Sequence, residues 1–451
     1  MNDIIVAIST ALGKGAISIV RLSGDGCIEL VNKCFKGKDL SKVESHTINF
    51  GYIMDEDKVI DQVLVSVMKA PKTYTREDVV EINCHGGIAA TNKILEVMVL
   101  NGARLALPGE FTKRAFLNGR IDLVEAEAVM DIVNSKTEKA REQSISQLEG
   151  KLTGIIRKFR QELLELLANI EVNIDYPEYE DIEVVTINDI KDKVKSMRES
   201  LNQIIKESEI RKVIKDGINV AIVGRPNVGK SSILNRLLGE NKAIVTDIAG
   251  TTRDIVEGSI TLSGIQLNFI DTAGIRSTED VVEKYGVEKS IEQINRSDLV
   301  ILVLNNNEKL TDEDISLIEK VENKKYIIVI NKKDLDNKLE VDKLNNDNVI
   351  YTDTVSFDGI DSLKNKIIEL FNLDEIESSN VEIFTNTRQI TLAKECLPIL
   401  DDVEKGIIDE VPVDLVAIDI KRIWSKLGEI LGENYSDELI DQLFSQFCLG
   451  K

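Results

Sequence analysis

Eight residues constrain this chain more than any others: Gly224-Arg225-Pro226-Asn227-Val228-Gly229-Lys230-Ser231. They follow a short apolar run, Asn219–Val223, and precede a run with helical spacing, Ser232–Leu238. A glycine-rich turn between a buried strand and a helix is the phosphate-binding loop of P-loop NTPases, which commits the surrounding segment to an α/β sheet. In such a loop the backbone N–H groups from Asn227 to Ser232 cradle phosphate oxygens. The Lys230 ammonium reaches the β and γ oxygens, and the Ser231 hydroxyl ligates Mg²⁺.

Three further motifs follow in the order that a guanine-nucleotide site requires. Thr246-Asp247-Ile248-Ala249-Gly250-Thr251-Thr252-Arg253-Asp254 is a polar loop in which Thr252 can donate a hydroxyl to the magnesium while the γ-phosphate is present, the behaviour of a switch segment. Asp271-Thr272-Ala273-Gly274 ends the strand candidate Gln266–Ile270; its carboxylate can hold the magnesium shell and its glycine amide can meet the γ-phosphate. Asn331-Lys332-Lys333-Asp334 closes the strand candidate Tyr326–Ile330 and selects the base. Asp334 can accept hydrogen bonds from guanine N1–H and the 2-amino group, neither of which adenine offers. At roughly 1.5–3 kcal/mol per charge-assisted bond, the preference for GTP over ATP is about 10²–10⁴. Ser356 is assigned to the last base-contacting loop.

In many GTPases a glutamine just after the Asp271–Gly274 motif orients the attacking water, whereas here the position holds Ile275, which cannot. The nearby acids are Glu279, Asp280 and Glu283, and Glu283 opens a helical stretch. Our hypothesis gives it the water. Charge developing at the β–γ bridge also needs a cation, for which Arg253, Arg276 or a monovalent ion on the Asn227 amide are the candidates.

The rest of the chain shows what surrounds this unit. At 451 residues it is too long for one core and multidomain by the usual measure of about 150 residues per domain. Residues 1–117 carry short β-type runs (Ile4–Ile8, Ile17–Leu22, Val63–Met68, Val79–Cys84) and helical stretches near Ile28–Lys33 and Ile88–Asn101, an α+β domain. Residues 118–214 are helical, with Ile121–Val172 interrupted only by Gly150 and Gly154, and a second stretch over Ile187–Lys215. The α/β unit occupies 215–374. Helical spacing returns over 375–451, through Val411–Gly432 and Asp437–Phe447. The expected architecture is therefore a P-loop, Ras-like unit inserted into a helical domain built from both flanks.

A formal charge of −22 argues against wrapping nucleic acid by bulk electrostatics, so any RNA must meet a local basic patch or a partner. Five cysteines (Cys27, Cys34, Cys84, Cys396, Cys448) are odd in number and never in a CxxC pair, which supports neither a disulfide framework nor a zinc site and points to a reducing cytoplasm. The first ten residues have an acid where a signal peptide has positive charge, and no stretch reaches the ~18 apolar residues of a membrane span.

With these residues in hand, the whole chain resembles the MnmE (TrmE) family of tRNA-modification GTPases. The resemblance rests on Ala7–Thr10 with Gly13-Lys14-Gly15, Ile19–Gly24, Tyr74–Asp78, His85-Gly86-Gly87, Pro108–Thr112, Arg114–Asp131, and the terminal Cys448-Leu449-Gly450-Lys451, which matches a CxGK motif. It implies an N-terminal domain that binds a tetrahydrofolate derivative (5-formyl or 5,10-methylene) and forms a homodimer. It implies Arg21, Glu81, Arg120 and Lys451 as the folate contacts, although Arg120 stands where many members have lysine. It implies a potassium ion held by Asn227, Thr246, Ile248 and Thr251, and it places the catalytic glutamate at Glu283. It implies a partner, the FAD protein MnmG in a heterotetramer, with which an aminomethyl-type group is added to C5 of the tRNA wobble uridine. Two rivals stay open here: an Era-type GTPase of ribosome assembly, and a free-standing aminomethyl transferase whose nucleotide domain is incidental.

Overall fold

The computed structural model describes residues 3–175, 187–240, 258–270, 286–339, 348–353, 356, 358–373, 382–435 and 437–450. The chain divides into two compact units. One comprises Met1–Asn134, Ser144–Glu199 and Thr391–Lys451; the other, Ser135–Gln143 and Ser200–Ile390, interrupts it.

The first unit opens with a sheet of β1 (Ile5–Ile8), β2 (Ile17–Ser23), β3 (Phe35–Gly37), β4 (Thr47–Asp55), β5 (Lys58–Met68), β6 (Val79–His85) and β7 (Arg104–Leu105). Their order is β3-β4-β5-β6-β2-β1-β7, antiparallel except for the parallel β1–β7 edge. Alternation dictates the layering. On β4 Asn49, Gly51 and Ile53 are buried while Ile48, Phe50 and Tyr52 face out, and the inward residues of β2, β5 and β6 meet the helices Cys27–Cys34 and Ile88–Leu100 in one core. The strand β4 is absent from the sequence reading, and β5 begins five residues before Val63.

A charged cluster ties the third helix, Glu110–Leu117, to this sheet. Arg114 is 1% exposed and binds the carboxylates of Asp3, Glu77 and Glu110. The helical stretch expected over Ile121–Val172 is three helices: Leu123–Asn134, Glu138–Leu148 and Lys151–Asp175. Gly150 does break it, with φ +74°, but Gly154 does not. It lies inside the last helix with open space where a Cβ would stand, so it costs helix propensity without ending the helix. The N-terminus of Leu123–Asn134 is closed by a reciprocal box. The Asp122 N–H donates to Glu125 and the Glu125 N–H donates to Asp122 Oδ1, while Thr153 donates to the other Asp122 oxygen at 2.8 Å. Lys151–Asp175 packs along Val413–Leu431, where the Arg160 guanidinium stacks over Trp424 at 4.3 Å and pairs with Glu433. The helix expected over Asp437–Phe447 ends at Phe444.

The second unit contains β8 (Ile218–Val223), β9 (Ser259–Leu262), β10 (Ile265–Phe269), β11 (Leu299–Asn305), β12 (Lys325–Asn331) and β13 (Val349–Tyr351), in the order β13-β12-β11-β8-β10-β9. All neighbours run parallel except the β9–β10 hairpin. β8, β11 and β12 read as continuous apolar runs because both faces are covered. Helices Lys230–Glu240 and Ile360–Leu370 close one face, and Gly286–Arg296 and Asp312–Val321 the other. From β8 the chain builds toward β10 on one side and later toward β11 on the other, so the carboxyl end of β8 is the topological switch point where α/β sheets bind ligands. The strands β9 and β13 were not foreseen.

Candidate nucleotide site

The loop at the switch point has the backbone that a phosphate cradle needs. Gly224 has φ +143°, and a Cβ there would lie 2.4 Å from the Val303 carbonyl oxygen. Gly229 has φ +102°, and its Cβ would lie 2.0 Å from Asn331 Nδ2. Neither position admits a side chain. Asn227 also has positive φ, +63°, and its exposed amide is free of protein partners among the described residues, as a group offered to a ligand would be. The helix Lys230–Glu240 starts directly from the loop, and its first N–H groups have no acceptor within the helix, the usual source of anion affinity at a helix start.

Lys230 is folded onto the loop, with Nζ donating to the carbonyls of Gly224 at 2.6 Å and Arg225 at 2.7 Å. Burial lowers its pKa from the ordinary lysine value, and phosphate oxygens are stronger acceptors that reward the charged form. Arg225 is held away by ion pairs to Asp314 at 2.9 Å and Glu308 at 2.8 Å.

Asn331 joins the phosphate loop to the loop of Asp334. At 1% exposure its Nδ2 donates to the Val228 carbonyl at 2.9 Å, and its Oδ1 accepts from Thr352 Oγ1 at 3.2 Å. Thr352 is fully buried just beyond β13, and its carbonyl accepts from the Lys333 N–H. It is a site residue that sequence reasoning missed, since nothing local marks a threonine after a short edge strand. Lys332 has φ +63°, which reverses the chain so that Asp334 stands exposed with a carboxylate that has no partner among the described residues. Ser356 Oγ donates to Asp353 at 2.5 Å. Ser231 and Ser232 sit in the first turn of the helix. Thr246, Asp247, Ile248, Ala249, Gly250, Thr251, Thr252, Asp271, Thr272, Ala273, Gly274 and Glu283 lie outside the described residues.

A second cluster occupies the first unit. Arg21 and Glu81 face each other across β2 and β6 and pair at 2.8 Å. The Arg21 guanidinium also donates to the Gly450 carbonyl at 3.3 Å and lies 5.7 Å from the Phe111 ring. Arg120 stacks over Tyr74 at 5.0 Å and, with Lys72 and Arg76, borders a cavity of ≈ 450 Å³. The C-terminal tail is docked beside Arg21: Ser9 Oγ donates to Gly450, the Gly109 N–H donates to Cys448, and a Cβ on Gly450 would lie 2.5 Å from the Ile8 carbonyl. Lys451 itself lies outside the described residues. No helix of the described residues is long and apolar enough to cross a membrane.

Comparison with known proteins places these clusters in a family. The profile described as the MnmE helical domain matches residues 123–448, and that of the GTP-binding protein TrmE N-terminus matches residues 4–120. The chain is 53% identical over 456 residues to the tRNA modification GTPase MnmE of Ligilactobacillus salivarius, covering 100% of this chain and 98% of that protein. It is 51% identical to the proteins of the same name from Bacillus cytotoxicus and Lactiplantibacillus plantarum, over 100% of this chain and 99% and 98% of theirs. Full-length identity at this level, together with a P-loop unit set inside a chain that matches both the TrmE N-terminus and the MnmE helical domain, shows that this chain belongs to the MnmE family of tRNA modification GTPases.

Proposed function

We propose that the chain hydrolyses GTP and couples that hydrolysis, with a FAD-dependent MnmG-type partner, to folate-dependent addition of an aminomethyl-type group at C5 of the wobble uridine of tRNA. The observation that carries the nucleotide half of this reading is the Asn331 bridge. One buried amide fixes the phosphate loop and the loop of Asp334 in register, so that phosphate and purine are read together. The proposed organisation is a folate-binding and dimerising segment over 1–117, helical segments over 118–214 and 375–451, and the GTPase unit over 215–374, acting as a homodimer in the cytoplasm.

Hydrolysis follows from the roles of the chain's own groups. Lys230 leaves the Gly224 and Arg225 carbonyls for the β and γ oxygens, the loop amides hold the same oxygens, and Asp334 orients the guanine. Glu283 positions the water that attacks the γ-phosphorus, giving GDP and inorganic phosphate. Ser231 and Thr252, with Asp271 in the outer shell, would hold Mg²⁺, which supplies charge neutralisation across the phosphates. The exposed Asn227 amide, with Thr246, Ile248 and Thr251, would offer the hard oxygen ligands that suit K⁺.

The Arg21 cluster fits a folate. Two guanidiniums beside the Tyr74 and Phe111 rings suit a flat heteroaromatic with an anionic tail, and Glu81 offers a carboxylate to its amino and N–H edge. Lys451, next in the chain after the docked Gly450, is the fourth residue of this reading. Nucleoside analysis of tRNA tests the whole proposal: cells lacking the protein lose the wobble-uridine modification, wild-type protein restores it, and Lys230→Ala does not. Full modification by Lys230→Ala protein would refute the coupling.

A further inference from the structure

The turn after β11 braces both halves of the nucleotide site. β11 lies between the phosphate-loop strand β8 and the base-loop strand β12, so residues just beyond its carboxyl end reach both loops. Asn305 and Glu308 face the phosphate loop. Asn305 Nδ2 donates to Glu308 at 2.6 Å, and the same Glu308 carboxylate binds Arg225 at 2.8 Å. Asn306 faces the base loop and makes three contacts along it. Its N–H donates to the Asn331 carbonyl at 3.0 Å, its carbonyl accepts from the Lys338 N–H at 2.9 Å, and its side-chain Nδ2 donates to the Leu335 carbonyl at 3.1 Å.

The third contact sets the purine reader. Leu335 follows Asp334 directly, and its own N–H donates to the Lys332 carbonyl at 3.0 Å, so Asp334 is suspended between two anchored neighbours. Among the described residues its carboxylate has no bond to orient it. Asn306 is 4% exposed, yet its Oδ1 is buried with no partner among the described residues. An acceptor without a bond adds nothing to stability, so what the Asn306 side chain contributes here is its donor to Leu335. We propose that Asn306 is a positioning residue for base selection: through Leu335 it holds the Asp334 carboxylate where it reads the guanine 2-amino group. This inference rests on the nucleotide site proposed above and extends it to a residue outside every nucleotide motif.

Hypoxanthine, the base of IDP, differs from guanine only in lacking the 2-amino group, so the comparison of GDP with IDP isolates the contact. Calorimetry in Mg²⁺ buffer on the full chain compares wild type, Asn306→Ala, Asn306→Asp and, as a control, the neighbouring Asn307→Ala. Both Asn306 variants lose the donor to Leu335, and the aspartate opposes that carbonyl with a second oxygen. Their ratio of IDP to GDP dissociation constants falls about tenfold, the worth of one well-placed hydrogen bond, while Asn307→Ala keeps the wild-type ratio. An unchanged ratio in both Asn306 variants, whether GDP and IDP are weakened equally or not at all, would overturn the inference and leave Asn306 a support of the fold. Wild-type protein that binds GDP and ADP alike would instead bring down the nucleotide site itself.

Discussion

Replacing Asn331 by alanine separates the phosphate loop from the base loop, and the structure sets the size of the effect. The substitution removes a 2.9 Å bond to the Val228 carbonyl and a longer, 3.2 Å bond from Thr352. Both are buried, so the groups left behind have poor access to water. The two bonds contribute about 1 kcal/mol each when made, and each orphaned partner costs about 1–3 kcal/mol. The Thr352 hydroxyl can rotate toward another acceptor, which puts the total at about 2–4 kcal/mol. Binding GDP requires both loops in register, so that energy appears in affinity: at about 1.4 kcal/mol per decade, the dissociation constant rises roughly 30-fold to several hundredfold. Calorimetric titration of GDP into Asn331→Ala protein in Mg²⁺, beside thermal unfolding of the nucleotide-free forms, measures it. Thr352→Ala alone weakens binding less, because its bond is the longer one. The double variant costs less than the sum of the two, because the residues share one contact. If Asn331→Ala lowered the unfolding temperature but bound GDP within about threefold of wild type, the bridge would be a matter of stability and the reasoning would fail.

Three other outcomes follow, two from the proposed hydrolysis and one from the geometry of the first unit. Glu283→Ala protein binds GDP and GTP as wild type does but hydrolyses GTP slower by orders of magnitude; unchanged single-turnover hydrolysis would move the water-positioning role elsewhere. Hydrolysis runs faster in K⁺ than in Na⁺ at equal ionic strength, and equal rates would remove the monovalent ion from the Asn227 amide. In the N-terminal unit, burial pulls the Glu110 pKa upward. The ion pairs with Arg104 and Arg114 and the Leu107 N–H outweigh it, holding the carboxyl below its ordinary 4.5. Ionised Glu110 therefore stabilises the fold above that value, and the contribution is lost as pH falls through the lowered one. Glu110→Gln protein is less stable than wild type at neutral pH and flatter in its response to acid, as thermal unfolding from about one unit below the ordinary carboxylate values up to neutrality would report. Parallel curves for the two would exclude this carboxylate.

Much of the fold was legible because its signals are local. The apolar runs of β8, β11 and β12 are buried on both faces and needed no partner to be recognised. On β4 the apolar residues Ile48, Phe50 and Tyr52 do alternate with Asn49 and Gly51, but in inverted phase, with the apolar side facing out, so even a strand read there would have been given the wrong buried face. β13, three residues long, offers no periodicity at all. Gly154 was misread for a related reason: a glycine breaks a helix only where the backbone turns, as at Gly150, and its letter says nothing of φ.

The nucleotide site divides along the same line. Asn227, Gly229, Lys230 and Ser231 are neighbours in the chain, and the phosphate cradle they form is a property of consecutive backbone dihedrals, so the sequence determined it alone. The junction of that cradle with the base loop spans 103 residues between Val228 and Asn331. Thr352 meets Asn331 across 21 residues, Asn306 meets Leu335 across 29, and Gly450 meets Arg21 across 429. None of these has a spacing to betray it, because a hydrogen bond between distant segments exists only once the sheet has set its strand order. Tertiary structure therefore decided which asparagine and which threonine brace the loop of Asp334, while the chain's own order had already decided what would be braced.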